Sequence, residues 1–356
     1  MLNFNPEGKK VILSVDGGGM RGMIPIAMLA ELEQMTGKTC QQMFDMVAGT
    51  STGSVIAAGL GVGLTASEIL EQIYRTRLPQ AFASQNALMY LRYVLNGLRH
   101  LYDMQPFIDA LAPLAMGKKI RDLTRPIVLM TTKDVRVGDT YFVVSKGPGL
   151  AAVADWPVSG AVAASGAAPI YFPPVASSLI DGGVGVTGNP CLVAAVEAME
   201  YIGAEEGFVD GKVILISLGT GFAPLLYPDG AAARFWLKDW IEYVITRGMI
   251  DDTALEQATS TRAIYGSRLD FRRYQPELTR QNLADQLGLT VTIDPTKLSL
   301  DSHAPEQIAL MEQIGRAYAR KIDWTQPNVM SWDTVGGQRK PDMTETPVDW
   351  SNTPYR

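Results

Sequence analysis

Phe44-Asp45-Met46-Val47-Ala48-Gly49-Thr50-Ser51-Thr52-Gly53-Ser54-Val55-Ile56-Ala57-Ala58-Gly59-Leu60 is the stretch on which the reading of this chain turns. Its apolar front, Phe44 to Ala48, reads as a short buried strand, and Ser54 to Leu60 as a helix of small residues. Gly49-Thr50-Ser51-Thr52-Gly53 between them is a G-x-S-x-G, the pattern of a nucleophile elbow. The flanking glycines permit a sharp turn and a close approach of helix to strand. Ser51 then stands exposed on strained backbone at a helix N-terminus, whose dipole favours developing negative charge. Alone the pattern is weak, because a Gly-Thr-Ser turn also caps ordinary helices.

Upstream, Val11 to Val15 is an apolar run that reads as a buried parallel strand. Asp16-Gly17-Gly18-Gly19-Met20-Arg21-Gly22 follows it, and helical spacing then continues to a stop at Gly37. Strand, helix, strand, helix is the opening of an α/β fold. The glycine loop exposes consecutive amides after a strand, an arrangement that can hold an oxyanion, with Arg21 either adding positive charge or bracing the loop. Gly17-x-Gly19-x-x-Gly22 also matches the dinucleotide fingerprint. That reading wants an acid at the end of the second strand, where this chain has Gly49-Thr50-Ser51. No phosphate-binding G-x-x-x-x-G-K-[ST] loop is present.

Further along, Pro126–Thr132, Thr140–Val144, Ser178–Ile180 and Val213–Leu218 read as strands, and Val158–Ala168, Cys191–Tyr201 and about Pro305–Ile322 as helices. Beyond Gly221 the chain reads as mainly helical. Residues from about Pro79 to Lys119 are rich in large apolar side chains and read as an insertion over a site or as a core helix pair. Phe235, Trp236, Trp240, Tyr243 and Val244 form an aromatic stripe, expected to be a buried helix face, with a lipid interface as the alternative. Prolines at 327, 341, 347 and 354 suggest an extended tail over 325–356. The expected organisation is one catalytic domain over 1–324, with motifs in 9–190 and a helical part from about 222.

A hydrolase with Ser51 as nucleophile needs a base. Asp181 closes an apolar strand, and Gly182-Gly183 leave room beside it for backbone and substrate, so a Ser51–Asp181 dyad is the leading expectation. The chain has only two histidines. His303 precedes the last helix, where an α/β-hydrolase carries its histidine, so a Ser–Asp–His arrangement is the alternative.

A net charge of −6 argues against nucleic-acid polymers as partners. Cys40 and Cys191 have neither metal-ligand nor C-x-x-C spacing, which suits a reducing compartment. No credible signal peptide and no run of about 20 apolar residues is found, so the expectation is a cytoplasmic protein, with peripheral membrane contact open.

Four ordered motifs resemble those of the patatin-like phospholipases. Asp16 to Gly22 is similar to the family's D-G-G-G-x-R-G, and Gly49 to Gly53 to its nucleophile motif. Asp181-Gly182-Gly183 is similar to its D-G-[AG], and Ala164 to Pro169 to the small-residue block before it. Ser54 stands where many relatives have glycine. The resemblance implies a three-layer α/β/α fold with a central, mostly parallel sheet. It implies Ser51 as nucleophile, Asp181 as base, and an oxyanion hole of Gly17, Gly18, Gly19 and Arg21. Phospholipid or lysophospholipid esters are the implied substrates, cleaved through an acyl-enzyme with no metal or cofactor and with transient membrane contact. Some bacterial relatives are antiphage effectors activated by a cyclic nucleotide, and the C-terminal third has room for such regulation.

Overall fold

The computed structural model describes residues 1–83, 99–115, 117–224, 227 and 230–340. Among the described residues, seven strands form one sheet: β1 (Lys10–Val15), β2 (Met46–Thr50), β3 (Ile127–Asp134), β4 (Asp139–Val144), β5 (Leu179–Asp181), β6 (Val213–Leu218) and β7 (Asp270–Tyr274). The order is β4-β3-β2-β1-β6-β7, with β5 paired to β3. β2, β1, β6 and β7 run parallel with β3, whereas β4 and β5 run antiparallel to it.

The central strands are apolar at nearly every position because both faces are covered. Along β1, Val11, Leu13 and Val15 join one core cluster and Ile12 the other, as a two-residue period requires. The first face is covered by α1 (Met23–Thr36), α2 (Thr52–Val62), α3 (Val158–Ser165) and α7 (Pro305–Lys321), which contribute Ile24, Ile56, Val162 and Met311. The second is covered by α4 (Cys191–Val196) and α6 (Asp252–Tyr265), through Cys191, Ala194, Ala258 and Tyr265. This is the expected α/β/α arrangement about a mostly parallel sheet.

Most expected elements appear within a residue or two. The second strand is displaced toward the elbow, Met46–Thr50 rather than Phe44–Ala48, and α3 ends at Ser165 rather than Ala168. Among the described residues the C-terminal third is mainly helical, with β7 as its one strand. Its sequence, Asp-Phe-Arg-Arg-Tyr, does not read as a buried strand, yet Arg272 and Arg273 are only 4% and 2% exposed. Arg273 holds Asp16 in a two-pronged contact at 2.8 and 2.5 Å and also donates to Ser217 Oγ and Gln275 Oε1. Arg272 pairs with Asp270 and donates to the carbonyls of Phe4 and Trp324. Buried charges of this kind are tolerable only when each donor meets an acceptor. Within the expected tail, 325–340 packs onto the domain: Val329 and Met330 are buried, and Gly337 bridges to Pro276. Residues 341–356, and the apolar stretch 84–98, lie outside the described residues.

Replacing Arg273 by methionine should cost about 3–5 kcal/mol in urea denaturation, because Asp16 is left buried without its counter-charge. The double replacement Asp16→Leu with Arg273→Met should recover much of that loss.

Candidate active site

The register of β3 determines which residues meet. Thr131 pairs with Thr50 of β2, and the next residue, Thr132, pairs with Asp181 of β5. β4 occupies the opposite edge of β3 over the same span, so β5 continues the line of β2 beyond its carboxyl end. Ser51, following Thr50, and Asp181 therefore face the same crevice.

At Ser51 the chain turns with φ 54° and ψ −120° and enters α2 at once. A non-glycine residue takes such angles only when its surroundings impose them. Here a Cβ at Gly53 would stand 2.2 Å from the Val15 carbonyl oxygen, and one at Gly49 would stand 2.1 Å from the Gly53 oxygen. The helix thus presses onto β1 and β2 at a distance only glycines permit. The Ser51 N–H donates to Ser165 Oγ at 2.9 Å, and Ser54 Oγ donates to the Ser51 carbonyl at 2.6 Å. Ser165 is fully buried at the end of α3. Its role escaped the sequence reading, although it lies in the small-residue block singled out there.

Asp181 is 6% exposed and accepts the Gly183 N–H at 2.7 Å. Burial pushes its carboxyl up to about 6, against the nearby Ser51 side chain and the Gly183 amide, both of which favour the charged form. The glycine of the Asp-Gly-Gly motif next to Asp181 is a packing requirement, since a Cβ at Gly182 would sit 2.1 Å from Thr131 Oγ1.

The glycine loop departs from expectation at two positions. The Gly17 N–H already donates to the Gly188 carbonyl at 2.8 Å, and its own carbonyl accepts from Thr220 Oγ1 at 2.9 Å. Gly17 is therefore a fastening point, and its amide is not available to an oxyanion. Among the described residues no acceptor takes the Gly18 or Gly19 amides, and both residues line the crevice. Arg21 is buried and does not line it; its charge acts on Asp16 behind the loop. Gly22 lets the loop pass Thr52, whose Oγ1 a Cβ would meet at 2.1 Å.

The crevice opens into a cavity of about 420 Å³. Ser51, Asp181 and the glycine loop form one end, and Val55, Leu78, Phe82, Phe107, Phe172 and Trp240 supply much of the apolar remainder. Among the described lining residues there is no histidine. His303 directs Nδ1 at the Asp301 carbonyl at 2.8 Å, and it is Leu300 from that segment that reaches the cavity. His100 sits in a bridge to Ile170 and is likewise not among the lining residues.

The mostly parallel α/β/α sheet, the serine elbow, the glycine loop and the buried Asp-Gly-Gly carboxylate surround one apolar cavity. The family model described as patatin-like phospholipase matches residues 13–195, and the chain belongs to that family. Among characterised relatives, it is 26% identical over 222 residues to a cGAMP-activated phospholipase of Escherichia coli (strain TW11681), covering 59% of this chain and 61% of that protein. It is 27% identical over 352 residues to patatin-like protein 2 of Arabidopsis thaliana, covering 87% of this chain and 83% of that one. A cGAMP-activated phospholipase of Vibrio cholerae is 28% identical over 244 residues, covering 63% and 68%. A looser structural likeness, to VipD from Legionella pneumophila, has a TM-score of 0.40 at 13% identity over 88% of this chain and 66% of that one.

Removing the buried acceptor of the Ser51 amide by Ser165→Ala should lower stability by about 1–3 kcal/mol in chemical denaturation. Ser165→Thr keeps the acceptor and should separate loss of the bond from loss of packing; if both variants matched the parent, Ser165 would not be what holds the elbow.

Proposed function

We propose that this chain hydrolyses fatty-acyl esters of phospholipids or lysophospholipids through a Ser51–Asp181 dyad. The observation that carries this reading is a serine on strained backbone that lines the same apolar cavity as a buried carboxylate, whose pKa it lowers against burial. Ser51 Oγ attacks the ester carbonyl while its proton passes to Asp181. The charge that develops on the carbonyl oxygen is held by the Gly18 and Gly19 amides and by the N-terminal end of α2. Collapse of the intermediate breaks the ester bond, returns the proton from Asp181 to the leaving alcohol, and leaves the acyl group on Ser51. Water then gives a proton to Asp181 as it attacks the acyl-enzyme, and that proton returns to Ser51 Oγ as the fatty acid leaves.

The pKa of Asp181 suits the role. A group near 6 is a stronger base than an exposed carboxylate and is still mostly ionised at neutral pH. The apolar walls accommodate an acyl chain, and the reading calls for no cofactor or metal. Among the described residues no helix is long and apolar enough to cross a membrane. We read this chain as a cytoplasmic enzyme that meets lipid peripherally. A second, compatible reading is favoured by the relatives named as cGAMP-activated: hydrolysis here waits for a cyclic nucleotide. Hydrolysis unchanged across a panel of cyclic dinucleotides would count against it.

Ser51→Ala and Asp181→Asn should each reduce the release of fatty acid from mixed phospholipid and lysophospholipid, followed by mass spectrometry, by about 10³-fold or more. Retention of near-parental activity by either variant sinks the dyad, whereas His303→Ala should be silent.

The pH dependence follows from the raised pKa. In the parent, kcat/KM should fall as pH drops through about 6, as the base becomes protonated. The stability effect has the opposite sense. Because the folded protein holds this proton more tightly than the unfolded chain, stability from the group is present below the ordinary value of 3.8 and is lost as pH rises through about 6. Asp181→Asn should therefore be more stable than the parent at pH 7, by roughly 1–3 kcal/mol, with the gain shrinking toward pH 4.

A further inference from the structure

The wall of the Ser51 cavity is completed by the segment after β6. Trp240 and Val244 line the cavity, yet they are 45% and 51% exposed. Each therefore turns part of its surface to the cavity and part to solvent. Trp240 belongs to α5 (Leu237–Tyr243). Trp236, just before α5, and Leu237, its first residue, are 77% and 75% exposed and are not among the cavity-lining residues. The sequence reading took this aromatic stripe as a buried helix face, and these exposures correct it.

The patch has a firm base. Phe235 packs edge-on against Tyr227 and Trp240 at centroid distances of 5.0 and 5.2 Å, and Trp240 meets Tyr243 at 6.2 Å. Clustered aromatic rings with two large apolar side chains projecting beyond them are not the scattered exposure normal for a soluble surface. Apolar surface runs from Trp236 and Leu237, across Trp240, to the cavity that ends at Ser51.

That continuity selects the occupant. A protein partner covering the patch would also close over Trp240 and Val244, which form both wall and rim. A lipid surface covers the patch and supplies what the cavity takes. Tryptophan is the side chain most at home where hydrocarbon meets headgroups, because its ring is apolar and its N–H polar. The net charge of −6 gives no general attraction to an anionic surface, and the contact proposed here is one of apolar burial.

We propose that Trp236, Leu237, Trp240 and Val244 form a docking surface that inserts into the headgroup zone of a phospholipid bilayer. An acyl chain then slides from the bilayer past Trp240 to Ser51 without crossing water. The choice of lipid as occupant rests on the acyl-hydrolase reading of the cavity, but the contact itself is measurable without turnover.

The test uses the full chain carrying Ser51→Ala, so that vesicles stay intact, and sedimentation with sucrose-loaded phosphatidylcholine vesicles. The parent should bind, and Trp236→Ala with Leu237→Ala should weaken partitioning roughly tenfold or more. Binding should be unchanged between about 0.1 and 0.5 M salt, since screening weakens charge contacts and not apolar ones. Equal partitioning of parent and double variant overturns the proposal. So does binding that salt abolishes, or a patch that instead holds two copies together, seen as a dimer lost in the double variant with no vesicle binding.

In chains with Ser51 intact, the double variant should cleave a soluble short-chain ester at the parental rate and vesicle lipid at least tenfold more slowly. An intact parent that binds vesicles but cleaves neither substrate, with or without cyclic dinucleotides, would sink the acyl-hydrolase reading and leave the docking surface standing.

Discussion

The backbone turn at Ser51 is the constraint on which the rest depends. At φ 54° and ψ −120° it is a conformation serine does not choose, carrying on the order of 1–3 kcal/mol of strain. It persists because α2 is pinned from several sides: Gly53 against the Val15 carbonyl, the Ser51 N–H on Ser165, and Ser54 on the Ser51 carbonyl. The first two come from distant pieces of chain, β1 and α3, and the third is made within the elbow itself. The elbow is therefore held by the closed core, and the core in turn admits the elbow only through glycines.

Two buried carboxylates near this turn show how one fold separates structure from chemistry. Asp16 has both oxygens engaged by the Arg273 guanidinium, is 2% exposed, and anchors the glycine loop to β7. Asp181 is nearly as buried but has only a serine hydroxyl and one amide to favour its charge, so burial dominates and its pKa rises. Burial pushes both carboxyls up, and the difference lies in their partners: Arg273 occupies both oxygens of Asp16, whereas Asp181 lines the cavity beside Ser51.

Legibility followed locality. Strands such as Val213–Leu218 and helices such as Pro305–Lys321 announce themselves in their own residues, because an apolar run or a 3.6-residue period is a local signal. The glycine loop, the elbow and Asp-Gly-Gly were visible for the same reason. β7 was not, because its burial depends on Asp16, more than 250 positions away in the chain, and on carbonyls from both termini of the domain. The Gly17 amide looked free because its acceptor, Gly188, is equally remote, and Arg21 looked like an oxyanion partner because only the fold buries it away from the cavity. The exposed aromatic stripe misled in the other direction: periodicity shows which residues share a face and says nothing about what that face meets.

The sequence by itself determined the class of fold, the family motifs and which residue types are available for chemistry, since these follow from short-range pattern and backbone preference. Only the tertiary structure decided the partnerships. It placed Asp181 one β3 position beyond Thr50's partner, used the Gly17 amide for fastening while leaving those of Gly18 and Gly19 open, gave Ser165 the elbow to hold, and turned Trp240 half toward the cavity and half toward solvent. The reason is physical: hydrogen-bond acceptors, counter-charges and burial are supplied by segments distant in the chain, and they come into existence only when the sheet closes.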